Sequence, residues 1–139
     1  MEEKIELLGD GFDEKLVAIF SDPNFLLPNL LGATNVDFKE NSFRAEIPTS
    51  LLFGRKTYLI YGRIMSSLNS VTYIINIAGY SPDKGGKIRI DLQKGKVTIN
   101  INLSIPIESI NSRVIKSRIK EFKNKANELI RLERIKRKI

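Results

Sequence analysis

The side chains of this sequence that could carry out chemistry are carboxylates, tyrosines and basic residues, because its 139 residues include neither cysteine nor histidine. Their absence removes the usual general base at neutral pH, the thiolate nucleophile and the commonest metal ligand. A lone Asp, Glu or Tyr could act as an acid or a base if burial shifted its pKa. No spacing singles out such a residue, and the sixteen acidic residues form no cluster suited to a metal ion. The sequence therefore predicts no catalytic residue, no metal site and no cofactor.

The composition indicates a soluble globular protein, with 42% hydrophobic and 28% charged residues. A chain of 139 residues is long enough for a hydrophobic core without disulfides, and we expect one domain over residues 1–139. The first stretch, "MEEKIELLGD", begins acidic and has no long apolar run, so it does not resemble a signal peptide. No run approaches the roughly 18 apolar residues of a membrane helix. These features predict a cytoplasmic protein.

The net charge of +7 comes mainly from residues 113–138, which contain eleven Lys and Arg against three Glu. Two interpretations stay open for the final stretch, "RLERIKRKI". It is a solvated helix face, or it contacts a phosphate backbone or an anionic membrane surface. No aromatic residues interleave with it, which argues against nucleic acid as the partner. A membrane contact would use Arg131, Arg134, Lys136, Arg137 and Lys138.

The hydrophobic pattern predicts a strand, two short helices, six more strands and one long helix. The first strand covers residues 3–9 and ends at a Gly-Asp-Gly turn. After a first short helix, a second one starts at Ser21 or Asp22 with a proline at its first position. Pro28 should bend or end this helix, and Gly32 should close it.

From residue 34 onward the period is two, and hairpin turns are expected at Glu40-Asn41, Leu68-Asn69 and Lys94-Gly95. These turns divide the region into antiparallel strands. The strands at 57–65 and 71–78 carry apolar side chains on both faces. Something could cover the outer face there, which suggests a homodimer.

A long helix should follow, capped by Ser109 or Asn111 and free of Gly and Pro to about residue 137. It is too long to lie in solvent alone and too amphipathic to be buried all round, so it should lie across the sheet. Ala126 is a small member of its apolar stripe and could leave room for a ligand, although plain core packing is the alternative for the whole stripe. The stripe consists of Ile115, Ile119, Phe122, Ala126, Leu129 and Ile130.

Three short motifs carry a resemblance to a known superfamily. Residues 21–33 read "SDPNFLLPNLLGA", the stretch "YLIYGRI" contains Tyr61-Gly62, and "GKIRIDLQKGKVTININLSI" forms a closing hairpin. With the order of elements, these motifs resemble the START-like or birch-pollen-allergen-like helix-grip superfamily (SRPBCC). The nearest likeness is to its branch of polyketide cyclases and the G subunit of carbon-monoxide dehydrogenase, which carries "DP…LPG" after the first helix. This sequence differs in placing three residues between the second proline and the glycine.

The resemblance implies an α+β helix-grip fold, with a curved antiparallel sheet of about seven strands wrapped around a long C-terminal helix and two short helices after the first strand. In that superfamily the gap between sheet and helix is a mostly apolar tunnel for hydrophobic molecules. We therefore expect a ligand cavity whose walls or mouth include Phe25, Leu26, Leu30, Leu51, Leu52, Phe53, Tyr61, Arg63, Tyr73, Ile75, Ile90, Ile99, Ile101, Ile115, Ile119, Phe122 and Ala126.

Two groups within this set have expected roles. Tyr61, Arg63 and Tyr73 could supply polar anchors inside the cavity, although Arg63 could instead be a surface cation paired with an acid. The loop "SLLFGRK" at 50–56 could form a gate at the cavity mouth or belong to the core, through its apolar residues Leu51, Leu52 and Phe53.

The function that follows is binding of a hydrophobic small molecule, such as a lipid, a sterol-like or a polyketide-like compound, by a START-like domain without catalysis. One alternative is an assembly or maturation factor that docks on an enzyme complex, as the likeness to the dehydrogenase branch suggests. Another is a cyclase-like enzyme, which would need a buried acid or tyrosine that points into the cavity. A basic surface that binds nucleic acid or membrane is a further alternative.

Overall fold

A seven-stranded antiparallel sheet forms the frame of the protein, as seen in a computed structural model that describes residues 1–51 and 54–139. The strands are β1 (Glu2–Leu8), β2 (Thr34–Lys39), β3 (Ser42–Leu51), β4 (Gly54–Ser66), β5 (Ser70–Ile77), β6 (Gly85–Gln93) and β7 (Lys96–Ser104). They lie side by side in the order β1-β7-β6-β5-β4-β3-β2, and every neighbouring pair is antiparallel. The predicted α+β class and the predicted order of elements are confirmed.

The hairpin turns lie where the sequence predicted them. Glu40 and Asn41 have φ values of 52° and 66°, the left-handed conformation that a tight two-residue hairpin requires. Gly95 has a φ of 81° in the turn between β6 and β7. A turn over residues 67–69 joins β4 to β5.

The predicted loop at 50–56 is mostly strand. β3 and β4 stay paired as far as Leu51 opposite Gly54, so only Leu52 and Phe53 lie between them. Continued pairing satisfies the main-chain donors and acceptors of both strands, which a loop would have to expose to water. Leu52 and Phe53 lie outside the described residues, and so does the side chain of Leu51. The predicted gate therefore stays a prediction.

Two short helices follow the first strand, α1 (Val17–Phe20) and α2 (Pro23–Leu31). Asp22 caps α2, because its side chain accepts a hydrogen bond from the amide of Asn24 at 2.9 Å. Of the two effects predicted for Pro28, a bend or an end of the helix, the end does not occur, because α2 continues through Pro28 to Leu31. A proline removes one helical hydrogen bond. Burial of the leucines on both sides of Pro28 stabilises the helix by more than the free energy lost with that bond.

The long helix α3 (Glu108–Arg137) extends over 30 residues, or about 45 Å. The prediction that Ser109 or Asn111 caps it is wrong, because the residue before its first turn is Ile107, with a φ of 51°. Asn111 instead lies inside the first turn and is buried. In the described part of the chain, no helix is long and apolar enough to cross a membrane.

The core lies between the inner face of the sheet and the three helices. The predicted stripe of α3 faces it, with Ile115, Ile119, Phe122, Ala126 and Ile130 buried and Leu129 half-buried. The outer face of β4 is different, since its apolar side chains Leu59, Tyr61 and Met65 are exposed. The sequence correctly predicted apolar side chains on both faces of this strand.

Candidate functional site

A cavity lies between the inner face of the sheet and the first turns of α3. It measures about 40 Å³, and about 480 Å³ of atom-free space lies between its walls when the part open to solvent is included. Most of the wall is aliphatic, so a ligand would be held chiefly by hydrophobic contacts. The wall consists of Leu31, Ile47, Thr49, Tyr58, Ile60, Ile75, Ile77, Gly85, Leu103, Ile105, Pro106, Asn111 and Ile115.

The period of the strands explains why these side chains meet. Residues two apart on a strand share a face, so Tyr58 and Ile60 of β4 and Ile75 and Ile77 of β5 all point inward at the same end of the sheet. Gly85 of β6 has a φ of 105°, and a Cβ there would lie 2.2 Å from the carbonyl oxygen of Ile75. Glycine therefore lets β6 pair closely with β5 and adds no side chain to the wall.

Tyr58 and Asn111 form a polar pair within this apolar wall. The Asn111 side-chain amide donates to the Tyr58 hydroxyl at 3.0 Å and to the Pro106 carbonyl at 2.7 Å. Both residues are buried, Tyr58 with 6% and Asn111 with 1% of its surface exposed. The Asn111 Oδ1 atom has no hydrogen-bond partner among the residues that the structure describes. An unsatisfied buried acceptor is costly in an apolar setting. The atom does not open on the empty cavity, so a ligand could contribute a donor to it only after a side-chain rotation.

Arg118 on α3 links two elements beside the cavity, α2 and β3. Its guanidinium donates to the carbonyl oxygen of Leu31, at the end of α2, at 2.9 Å and to that of Pro48 in β3. Partial burial lowers the pKa of Arg118 below its ordinary value, because desolvation penalises the charged guanidinium. The side chain therefore ties α2 to β3 beside the cavity.

The other end of the space between sheet and helices is filled by aromatic rings. Phe25 lies 5.9 Å from Phe20 and 6.5 Å from Phe122, and Phe43 lies 5.8 Å from Tyr73 between ring centroids. The Tyr73 hydroxyl donates to the Phe20 carbonyl at 2.6 Å. Burial raises the pKa of Tyr73 far above its ordinary range, so this hydroxyl stays a neutral donor.

Of the predicted cavity residues, the structure places Ile75 and Ile115 in the wall. Tyr61 and Arg63, predicted as inward anchors, lie exposed on the outer face of β4, because they alternate with the inward-facing Ile60 and Ile64. The other described candidates are buried but lie outside the wall, where close packing fills the space that the sequence assigned to a ligand. They are Phe25, Leu26, Leu30, Tyr73, Ile90, Ile99, Ile101, Ile119, Phe122 and Ala126.

Sequence reasoning missed the polar residues of the wall. Tyr58 shares the inner face of β4 with Ile60, so the period of two could have identified it. Thr49, which donates to the Lys56 carbonyl at 2.8 Å, could have been identified in the same way. Asn111 carried no such signal, because an asparagine near the start of a helix is typical of a cap.

The basic end of α3 contacts the protein itself. Arg134 donates to the carbonyl of Gly11, and Arg137 forms ion pairs with Asp22 and Glu133. Arg131 pairs with Glu128 on the same helix. The contacts with Gly11 and Asp22 stabilise the docking of α3, and Asp22, Glu128 and Glu133 offset part of its positive charge.

Among the described residues, no group of three or more acidic side chains could hold a metal ion. The fold and the cavity together define a helix-grip type of protein, in which a curved sheet and a C-terminal helix enclose an apolar space. A protein-family model matches residues 1–139, and the chain belongs to that family over its whole length.

Comparison with solved structures supports the fold. A hypothetical protein from Sulfolobus tokodaii is similar over 100% of this chain and 99% of its own, with 24% identity and a TM-score of 0.78. A protein from Thermus thermophilus is similar over 96% of this chain and 99% of its own, with 13% identity and a TM-score of 0.61. The di-domain ARO/CYC protein StfQ of the steffimycin biosynthetic pathway aligns with 91% of this chain and 52% of its own, at 9% identity and a TM-score of 0.48, too weakly to support an argument. No curated protein matches the sequence.

Proposed function

We propose that this protein binds a hydrophobic small molecule in the cavity between the sheet and α3, without catalysing a reaction. The observation that supports this most directly is the mostly apolar wall, in which Thr49 donates to a main-chain carbonyl and Tyr58 and Asn111 form a buried polar pair. Ligand sites of proteins commonly combine apolar walls with a few polar groups that fix orientation. Lipid-like, sterol-like and polyketide-like compounds are the classes that the helix-grip resemblance suggests.

The size of the cavity limits the part of a ligand that it can hold. Sites for drug-sized ligands enclose about 300–1,000 Å³, whereas this cavity measures about 40 Å³, within about 480 Å³ of partly open space. A cavity that binds benzene measures about 150 Å³, so the enclosed part holds only a few atoms of a ligand and a single ring would extend into the open part. A larger ligand would have to separate α2 from β3. Arg118 opposes that separation, because it donates to carbonyls on both elements.

The proposal is tested by extracting the purified protein and analysing the native complex by mass spectrometry. We expect a bound apolar compound in the unmodified protein and its loss in Ile77→Phe, which adds a ring to the cavity wall. Leu132→Phe, at an exposed position near the other end of α3, is the matched control and should retain the compound. Identical spectra for Ile77→Phe and the unmodified protein would count against this site.

The absence of catalysis is part of the proposal. Tyr58 is the one ionisable side chain that the described wall contains, and it is engaged by Asn111 rather than by an acid or a base. A cyclase-like enzyme would need Tyr58 as its proton donor or acceptor. Incubation with poly-β-ketone mimics should give the same products with the protein and with Tyr58→Phe. A product that forms only with the unmodified protein would favour the cyclase.

Two alternatives involve a protein partner: an assembly factor that docks on an enzyme complex, and a homodimer. An assembly factor for an enzyme complex would co-purify with a protein partner and carry no small molecule. A homodimer could cover the exposed outer face of β4, where Leu59, Tyr61 and Met65 lie. Light scattering across a concentration series tests the homodimer, and a constant monomer mass at high concentration would exclude it.

A further inference from the structure

The orientation of the Asn111 amide is fixed by its surroundings. The two atoms of an amide can usually be exchanged, but here one of them lies 2.7 Å from the Pro106 carbonyl oxygen. An oxygen at that distance would face another acceptor, so the atom must be the nitrogen, which can donate. The same nitrogen also donates to the Tyr58 hydroxyl at 3.0 Å. The Oδ1 atom is therefore directed away from both groups.

This orientation leaves two hydrogen-bonding capacities in residues of the cavity wall, which a ligand reaches only after a side-chain rotation, because neither polar atom opens on the empty cavity. Asn111 Oδ1 is a buried acceptor without a partner in the described residues. The Tyr58 hydroxyl accepts from Asn111, and its own proton has no acceptor among the hydrogen bonds of the described residues. A site with one donor and one acceptor is complementary to a group that can both donate and accept.

We propose that the cavity selects neutral apolar molecules that carry a hydroxyl group, either an alcohol or a phenol. The ligand hydroxyl would donate to Asn111 Oδ1 and accept from the Tyr58 hydroxyl, so that both capacities are satisfied at once. This inference rests on the proposed function and adds to it the polar group of the ligand.

Other polar groups fit this pair less well. A carboxylate has no proton for Asn111 Oδ1, and it would bring a charge into an apolar wall at high cost. An ammonium cannot accept from the Tyr58 hydroxyl. A pure hydrocarbon would leave both capacities unsatisfied and would be held by hydrophobic contact alone.

The test compares three molecules of similar size: p-cresol, toluene and p-toluate. Affinities are measured by calorimetry on the full chain, and the side-chain amide signals of Asn111 are followed by NMR. We expect p-cresol to bind about tenfold or more tightly than toluene, because satisfied buried hydrogen bonds favour it. In Tyr58→Phe the affinity for p-cresol should fall about tenfold, and that for toluene should stay within about twofold. Tyr61→Phe removes a hydroxyl on the exposed outer face of β4, away from the cavity wall, and should change neither affinity.

The possible results distinguish a failure of the hydroxyl preference from a failure of the cavity to bind any apolar ligand. Without the two hydrogen bonds, p-cresol would have to give up its bonds to water and would bind more weakly than toluene. Toluene binding as tightly as p-cresol, or more tightly, would therefore overturn the inference and leave the cavity function intact. Tighter binding of p-toluate would also overturn it and would indicate a charged partner such as Arg118. If none of the three binds and Asn111 signals do not move, the proposed function fails together with the inference.

Discussion

The two ends of the space between the sheet and α3 are built from different side chains. At one end, aromatic rings pack against one another, and the Tyr73 hydroxyl donates to the Phe20 carbonyl. We call this the sealed end and define it by Phe20, Phe25, Phe43, Tyr73 and Phe122. At the cavity end, defined by the wall residues around Tyr58 and Asn111, the side chains are mostly aliphatic and an acceptor lacks a partner among the described residues. The same sheet and the same helix form both ends.

The difference shows how one core can combine stability with binding. The ring contacts of the sealed end fill the interior at high density, and each buried ring contributes a large hydrophobic free energy. The cavity end then needs to contribute less to stability, and it can keep space and an unsatisfied polar group. Changes in side-chain volume should therefore have opposite consequences at the two ends.

The largest effect is expected from Ala126→Phe, which enlarges a fully buried side chain on α3 outside the cavity wall. We expect a loss of about 3 kcal/mol in the free energy of unfolding, since a closely packed core accommodates added carbons poorly. Urea denaturation measures it, with Leu132→Phe on the exposed side of the same helix as the control. Retention of stability to within about 1 kcal/mol would revive the expectation that Ala126 borders a space for a ligand.

A matched pair of isoleucines gives the next comparison. Ile90→Phe in β6 enlarges a fully buried side chain at a position outside the cavity wall, and we expect it to cost about 2 kcal/mol. Ile77→Phe in β5 makes the same change at the cavity wall and should cost less than about 1 kcal/mol, because atom-free space adjoins it. Melting curves of the two variants measure both losses of stability. Equal losses would mean that the cavity does not accommodate a ring.

A pair of tyrosines compares the hydrogen bonds of the two ends. Tyr73→Phe removes the bond to the Phe20 carbonyl and leaves a buried acceptor, so we expect a loss of about 1–2 kcal/mol in unfolding free energy. Tyr58→Phe should cost about half as much, because the Asn111 amide keeps its bond to the Pro106 carbonyl. Denaturant titrations of both variants in parallel provide the measurement. A larger loss for Tyr58→Phe would show that the cavity end contributes more stability than its packing indicates.

The sequence predicted the frame of this protein better than its site. The hairpin turns, the period of two and the apolar stripe of α3 are local signals, and each was sufficient to place its element. The cavity depends on which inward-facing residues pack against a ring and which do not, and that is set by contacts between distant elements. Tyr73 and Tyr58 illustrate this, since both point inward but only one belongs to the wall. Asn111 was taken for a helix cap because its partners, Tyr58 and Pro106, are fixed only by the tertiary fold.

The last comparison concerns the two arginines that tie α3 to the rest of the protein. Arg137 pairs with Glu133 and Asp22 near the sealed end, and these acidic partners raise its pKa, with Glu133 the larger cause. Arg118 bonds to carbonyls at the cavity end, and burial lowers its pKa. Replacing either by methionine should cost about 1 kcal/mol at low salt, since both side chains are partly exposed.

Salt should distinguish the two replacements. Ion pairs near the surface are screened at about 1 M NaCl, so the cost of Arg137→Met should shrink there. The cost of Arg118→Met should persist, because carbonyl oxygens carry no net charge to be screened. Thermal unfolding at both salt concentrations measures this, with Lys136→Met on the exposed surface of α3 as the control. If the Arg118→Met cost also disappears in salt, then Arg118 acts through charge, and a carboxylate ligand becomes the better match for the cavity end.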